Sequence, residues 1–166
     1  IRVANSGVWS VSQECEVHVR FCPPPAELSR YFTTFYLVGW TVPGGGIIAD
    51  RLLPEWANLR FYADGTPQAE TLAGVRVGGT SFPVTGPSSK AVRFTIGSNR
   101  AWGIGLLPLG WAKFVGKPAS DYADALIDGH SDPAFADFVA VDDDRAQTVP
   151  PTGLDGTACT PSSMTP

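Results

Sequence analysis

Polar and aromatic side chains alternate along one stretch of the chain, at Trp56, Asn58, Arg60 and Tyr62. Alternate residues of an extended strand point to the same face, and the residues between them are apolar, at Ala57, Leu59 and Phe61. Aromatic rings beside an amide and a guanidinium are typical of pockets that hold small ligands. The pattern predicts a ligand-binding face, on which Trp56 and Tyr62 stack against a small molecule and Arg60 pairs with an anionic group.

The same stretch allows a structural interpretation. The polar face would then be exposed to solvent, or Arg60 would form an ion pair with Glu55 or Asp50. Arg93 lies between two apolar residues of another predicted strand, and it would point into the same space as Arg60 if the two strands were neighbours. Arg93 is therefore a further candidate for ligand binding.

Other kinds of site find little support in the residue types. The chain has two histidines, His18 and His130, which excludes a three-histidine metal site and favours surface or structural roles for both. No Gly-x-Ser-x-Gly nucleophile motif occurs, and the aspartates at 142–144 lack the spacing of a calcium loop. We expect no metal, no cofactor and no catalytic residue.

Composition limits the function further. The chain has 166 residues, enough for one domain, and its 18 glycines and 15 prolines favour short strands joined by turns. A net charge of −4 argues against direct binding of nucleic acid, which needs clustered Lys and Arg. No apolar run approaches the roughly 20 residues of a membrane span, so we expect no membrane partner.

Three cysteines, Cys15, Cys22 and Cys159, form no Cys-x-x-Cys pair. The segment between Cys15 and Cys22 alternates apolar and charged residues and is predicted to be a half-buried strand, so these two thiols would bridge only if that segment folded back on itself. We expect inert thiols and a cytoplasmic protein.

Further short strands are predicted along the first two thirds of the chain, over Phe32–Val42, Ile47–Leu53, Pro54–Tyr62, Leu72–Val77, Ala91–Ile96 and Trp102–Leu106. Regular short strands with turn signals between them are typical of a β-barrel or sandwich. Residues 1–14 and 147–166 are unpatterned, and we expect a disordered leader and a disordered tail around one domain at 15–146.

Helical patterns follow the last strand. In the run Gly103–Gly116, a strand is predicted to turn directly into a helix at Pro108, with one apolar face at Leu107, Trp111, Phe114 and Val115. Ser120 would cap a helix to Ile127, and a third, behind Asp132 and Pro133, would place Phe135, Phe138 and Val139 on one face. These apolar faces, with Phe135 and Phe138, are candidates for a dimer interface.

Four blocks of the sequence form one pattern: Pro24 to Phe32, the Leu53–Phe61 block around Leu-Pro-Glu-Trp, the Thr85–Ser89 turn and the Gly103–Gly116 run. Together they resemble the N-terminal domain of a subgroup of AraC-type bacterial transcription regulators. Their order and spacing match from about Val17 to Arg145. The resemblance implies a cupin-like, jelly-roll β-barrel followed by two or three short helices, acting as an effector-sensing or dimerisation domain.

In such regulators a pair of helix-turn-helix motifs follows and binds DNA, but here the chain runs into a Pro/Thr/Ser-rich tail instead. The chain also has no basic recognition helix, so we expect a non-catalytic regulatory domain that does not bind DNA by itself, forms a homodimer and takes a small-molecule effector. The tail and the absence of an initiator Met suggest a fragment or a misread gene boundary. A cupin-class enzyme such as an isomerase, and a purely structural dimerisation module, are the alternatives.

Overall fold

The computed structural model of the chain describes residues 15–139. The strands in this part are β1 (Glu16–Cys22), β2 (Phe32–Thr41), β3 (Ile48–Leu52), β4 (Asn58–Tyr62), β5 (Gln68–Glu70), β6 (Arg76–Gly78), β7 (Pro83–Thr85), β8 (Val92–Ile96), β9 (Asn99–Leu106) and β10 (Leu126–Asp128). The prediction of a mainly β chain with short helices is confirmed. The expected leader, the expected tail and the aspartates at 142–144 lie outside the described residues.

The strands form two antiparallel sheets. The large sheet has the order β1-β2-β9-β4-β7-β10, and the small sheet has the order β3-β8-β5-β6. Strand β9 lies inside the large sheet, where it alternates bulky residues with Gly103 and Gly105. One face of the large sheet is therefore bulky and apolar, whereas the other leaves room for side chains that cross over β9.

A helical segment follows β9 at the residue that the sequence predicts. It begins with Pro108 in α1 (Pro108–Gly110), continues as a π-helical turn over Trp111–Val115, and ends at Gly116, whose φ of 66° is left-handed. A Cβ at Gly110 would overlap the main-chain carbonyl of Tyr31, so the segment packs closely on the loop before β2. This places the segment against the large sheet.

The hydrophobic core lies between the bulky face of the large sheet and these helical turns. It contains strand residues and helical residues together, among them Leu59, Phe61, Phe82, Ile104, Leu106, Trp111, Val115, Phe135 and Phe138. Phe135 is fully buried and sits among the rings of Phe82, Trp111 and Tyr122. The apolar helical faces thus cover the chain's own sheet.

This burial corrects the expected dimer interface. Four of its six candidates are buried in the core, at Trp111, Val115, Phe135 and Phe138, and two are half-buried, at Leu107 and Phe114. Buried side chains are not available to a second chain. The apolar periodicity was a correct sign of a buried face, but the partner that buries it is the large sheet.

Two predicted elements are wrong. The helix expected from Ser120 to Ile127 is a single 3-10 turn, Ala119–Tyr122, followed by strand β10, which pairs with β7. Asp124 between them has a positive φ of 54°, which no helix contains. The strand expected over Leu72–Val77 begins only at Arg76, and Leu72 lies in a turn and is exposed.

The cysteines differ from the expectation of three unpaired thiols. Cys15 is free, whereas Cys22 is disulfide-bonded. Strand β1 extends from Glu16 to Cys22, so a bridge between Cys15 and Cys22 is excluded, as the sequence indicates. The sequence argument tested only this local pairing, and it therefore missed the disulfide at Cys22. Cys159 lies outside the described residues.

Candidate ligand-binding site

The second face of the large sheet carries the polar residues of β4. Residues directly opposite each other in neighbouring strands share a face, and Asn58 lies opposite Thr85, which lies opposite Leu126. Leu126 packs with Ala69 and Val92 of the small sheet. The side chains of Asn58 and Thr85 therefore lie on the inner face, the one that turns towards the small sheet.

Arg60 and Glu55 form a buried ion pair on this inner face. A guanidinium nitrogen of Arg60 lies 2.5 Å from Glu55 Oε1, and the exposed fractions of the two side chains are 9% and 25%. Arg60 also donates to the Thr85 hydroxyl at 3.0 Å, and that hydroxyl donates to Glu55 at 3.1 Å. Pairing of Arg60 with Glu55, one of the structural interpretations of the sequence, is confirmed.

Asn58 connects the ion pair to Tyr36 of β2. The Tyr36 hydroxyl donates to Asn58 Oδ1 at 3.0 Å, and Asn58 Nδ2 donates to Glu55 Oε2 at 3.3 Å. Gly103 lies opposite both Tyr36 and Arg60, and a Cβ at Gly103 would overlap the Tyr36 ring. Gly103 therefore cannot carry a side chain, because the Tyr36 ring crosses β9 at this position to reach Asn58.

Tyr62 completes what we call the inner polar cluster, which consists of Tyr36, Glu55, Asn58, Arg60, Tyr62 and Thr85. Its ring packs edge-to-face on Trp40, with 6.1 Å between ring centroids. The indole nitrogen of Trp40 donates to the Gly97 carbonyl at 2.8 Å, which fixes the indole. The cluster therefore has one aromatic wall whose position is set by a hydrogen bond.

Burial sets the protonation states in the cluster. Burial raises the pKa of Tyr62 to about 12, against an opposing effect of the nearby Arg60 charge. Burial also raises the pKa of Tyr36, partly offset by Arg60. For Arg60, burial lowers the pKa, but the facing Tyr36 and Glu55 oxygens outweigh it and the net shift is upward. At neutral pH both tyrosines are hydroxyl donors, and Arg60 is a cation.

The raised pKa of Tyr62 predicts a loss of stability in alkali. The folded chain holds the Tyr62 proton more tightly than the unfolded chain, so this stabilisation is complete below pH 10 and is lost as the pH rises towards 12. We expect the free energy of unfolding to fall by on the order of 2 kcal/mol across this window because of Tyr62. Urea unfolding followed by circular dichroism at several pH values measures it.

The Tyr62→Phe variant is the control for this prediction. It retains the ring that packs on Trp40 but has no titrating hydroxyl. Between pH 10 and 12 its free energy of unfolding should therefore fall by about 2 kcal/mol less than that of the parent chain. Equal decreases in the free energy of unfolding of the two chains would show that folding does not raise the pKa of Tyr62.

Two residues predicted from the sequence do not join the cluster. Trp56 precedes β4 and has 56% of its surface exposed. Arg93 is exposed on β8, in the small sheet, where it lies opposite Arg51 and Glu70. Its neighbours in β8 pack into the core, so Arg93 points to the outer face and does not share the space of Arg60.

The other three candidates are brought together, and four residues were missed. Asn58, Arg60 and Tyr62 lie on one face, as the alternation predicts. Tyr36, Thr85 and Trp40 reach the site through strand pairing, and no local pattern identifies them. Glu55 was considered only as a structural partner of Arg60, although its position five residues away was the available signal.

The cluster is suited to recognition by hydrogen bonds. Its single cation is balanced by its single carboxylate, and its tyrosines, amide and hydroxyl offer donors and acceptors beside an aromatic wall. Within residues 15–139, no group of three or more His, Cys, Asp or Glu side chains is placed to hold a metal ion. No helix in the same residues is long and apolar enough to cross a membrane.

No protein-family model matches this chain, and no curated protein matches it significantly.

Proposed function

We propose that the chain is a non-catalytic regulatory domain of the AraC type, with a cupin-like barrel that binds a small-molecule effector on its inner face. The observation that carries the proposal is the inner polar cluster, in which a charge-balanced, hydrogen-bonded set of side chains is held between two sheets by strand pairing. Pockets for small ligands combine a few placed polar groups with aromatic walls in this way. DNA binding would belong to a helix-turn-helix half outside this chain.

The effector would carry an anionic group that replaces Glu55 as the partner of Arg60. The guanidinium is already paired, so an anion binds there only by displacing the Glu55 carboxylate. Glu55 is held through its main chain, whose N–H donates to Ser88 Oγ at 2.9 Å and whose carbonyl accepts from Ser88 at 3.0 Å. Displacement would therefore strain the loop that enters β4.

That loop leads to the helical segment. The Ala57 carbonyl accepts from Leu106, the last residue of β9, at 2.8 Å, and α1 begins two residues later at Pro108. A shift of the loop would change how the helical segment packs on the sheet. An effector moves such an equilibrium only through its different affinity for the two arrangements, and exchange of Glu55 for the effector at Arg60 supplies that difference.

Effector binding is tested with small carboxylates and organic phosphates. We expect a thermal-shift screen to identify at least one such anion. Calorimetry should then show that Arg60→Leu binds this anion roughly tenfold or more weakly than the parent chain does. Glu55→Gln should bind it more tightly than the parent chain, because the competing carboxylate is gone.

Trp56→Ala is the matched control, because Trp56 is exposed outside the cluster and should not alter the affinity. Unchanged affinity in Arg60→Leu, or weaker affinity in Glu55→Gln, would refute exchange at Arg60.

The alternatives lead to different results. A cupin-class enzyme would turn over a substrate or bind metal in stoichiometric amount, and a purely structural dimerisation module would give no hit in the screen. The disulfide at Cys22 argues against the expected cytoplasmic location, because disulfides are rare in the cytoplasm.

A further inference from the structure

A row of charged side chains crosses the small sheet. Arg51 of β3 lies directly opposite Arg93 of β8. On the other side of Arg93 lies Glu70 of β5, and Arg76 of β6 lies opposite Glu70. We call these four residues the outer arginine row, which spans about 15 Å, or three spacings between neighbouring strands.

The outer arginine row faces away from the inner polar cluster. The residues next to the arginines in β3 and β8, which are Leu52, Val92 and Phe94, pack together in the smaller core. Successive residues of a strand point to opposite faces, so Arg51 and Arg93 point outwards, and both are exposed. This surface is therefore separate from the proposed effector site, and the inference drawn from it does not rest on the proposed function.

Only part of the charge in the row is balanced. Glu70 pairs with Arg76 at 3.2 Å, whereas no carboxylate within residues 15–139 forms an ion pair with Arg51 or Arg93. The whole chain has a net charge of −4, so this local excess of positive charge does not follow from its composition. Like charges at directly opposed positions destabilise a sheet, and a bound anion would relieve their repulsion.

Exposed leucines lie beside the two unbalanced arginines. Leu53 comes two residues after Arg51, and Leu72 comes two residues after Glu70, with 75% and 66% of their surfaces exposed. Strands β3 and β5 both pair antiparallel with β8, so both leucines lie at the same end of the small sheet. Exposed apolar residues next to arginines are typical of surfaces that bind another protein.

The charge of the arginine pair matches that of a phosphoryl group. Arg51 and Arg93 together carry two positive charges, and a phosphoserine carries about −1.5 to −2 at neutral pH. Its three terminal oxygens accept from both guanidiniums at once, whereas a carboxylate brings one charge and would leave one arginine unbalanced. A second copy of this chain is a poor occupant, because its own arginine pair would repel this one.

We infer that the outer arginine row docks a phosphorylated serine or threonine in an extended segment of a partner protein. The phosphoryl group lies between Arg51 and Arg93. An extended segment repeats every two residues, as the strands beneath it do, so the residue two positions away lies beside Leu53 and Leu72. The preferred segment therefore has an apolar residue two positions from the phosphorylated one.

The test is fluorescence anisotropy of a labelled peptide with the full chain. The peptide has a central phosphoserine and a leucine two positions away on each side, so that either chain direction fits. We expect it to bind roughly tenfold or more tightly than the same peptide with serine or glutamate at the centre. Inorganic phosphate, which has no apolar part, should compete only at a roughly tenfold or greater excess over the unlabelled phosphopeptide.

Substitutions that change the charge in both directions locate the site. R51Q/R93Q removes the unbalanced pair and should weaken binding of the phosphopeptide roughly tenfold or more. E70Q releases Arg76 from its ion pair and should strengthen binding several-fold, because a third guanidinium becomes available.

Matched controls make the same changes in net charge elsewhere. Arg30, Lys117 and Glu27 are exposed and lie outside the small sheet. R30Q/K117Q and E27Q should therefore leave the affinity for the phosphopeptide nearly unchanged. R51Q/R93Q removes a repulsion at exposed positions, so its thermal unfolding midpoint should be no lower than that of the parent chain.

Four results would overturn the inference: equal binding of the phosphoserine and glutamate peptides, equal competition by inorganic phosphate, equal weakening in R51Q/R93Q and R30Q/K117Q, or a lower unfolding midpoint of R51Q/R93Q. The last would mean that the arginines stabilise the sheet instead of repelling each other. Arg60→Leu should bind the phosphopeptide as the parent chain does, so failure here is distinct from failure of the effector proposal.

Discussion

The Phe135→Ala variant should lose roughly 3–5 kcal/mol of its free energy of unfolding. Phe135 has no exposed surface, and its ring contacts Phe82, Trp111 and Tyr122 with centroids 6.0 to 6.5 Å apart. Removal of the ring leaves a cavity between the helical turns and the large sheet, because these partners belong to separate elements that cannot all collapse inwards. Urea unfolding followed by circular dichroism and by tryptophan fluorescence measures the loss.

Leu109→Ala is the control for the loss at Phe135. Leu109 lies in α1 on the same helical layer but has 46% of its surface exposed, so its truncation should cost less than about 1 kcal/mol. If Phe135→Ala instead kept the stability of the parent chain and shifted it from dimer to monomer, Phe135 would belong to a subunit interface, as its periodicity first suggested.

The distinction between core and interface shows what periodicity alone can predict. The spacing of Leu107, Trp111 and Val115 correctly identified a helix and its apolar side, because both depend on residues within two turns. Which surface covers that side depends on where β9 leads the chain, and this is decided by the pairing of β9 with β2 and β4. The sequence offers no local sign of that pairing.

The candidate site likewise combines residues that a local pattern predicts with residues that only strand pairing brings in. Alternation placed Asn58, Arg60 and Tyr62 on one face, and chain proximity brought Glu55 within reach of Arg60. Tyr36 joins them from 22 residues away, because the register of β2 on β9 sets it over Gly103. A register is a long-range choice, and only the finished sheet reveals it.

Local signals misled most where a tertiary contact competes with them. Ser120 and the residues after it resemble a capped helix, but Leu126 and Ile127 pair with β7 instead. Asp124 makes the required bend and is held by hydrogen bonds from Ser89, whose main-chain N–H lies 2.6 Å from the carboxylate. Those bonds lower the pKa of Asp124, so its charged form favours the bend.

Glu55→Ala should cost roughly 3–5 kcal/mol of stability, because it leaves the Arg60 guanidinium buried without a counter-charge. The side chain of Arg60 is 9% exposed, so its charge is poorly hydrated once the carboxylate is removed, and Thr85 and Asn58 each lose an acceptor as well. Chemical unfolding at neutral pH measures the change. This loss concerns the folded state only and requires no effector.

Glu70→Ala is the matched control, because it removes a second Arg–Glu pair that lies at the surface. Glu70 and Arg76 are 3.2 Å apart, with 36% and 79% of their side chains exposed, so its loss should be under about 1 kcal/mol. In Glu55→Leu combined with Arg60→Leu, both charges are gone, and much of the stability should return. Additive losses in that double variant would mean that each side chain acts through packing, and the ion pair would then have no role in holding β4 to β7.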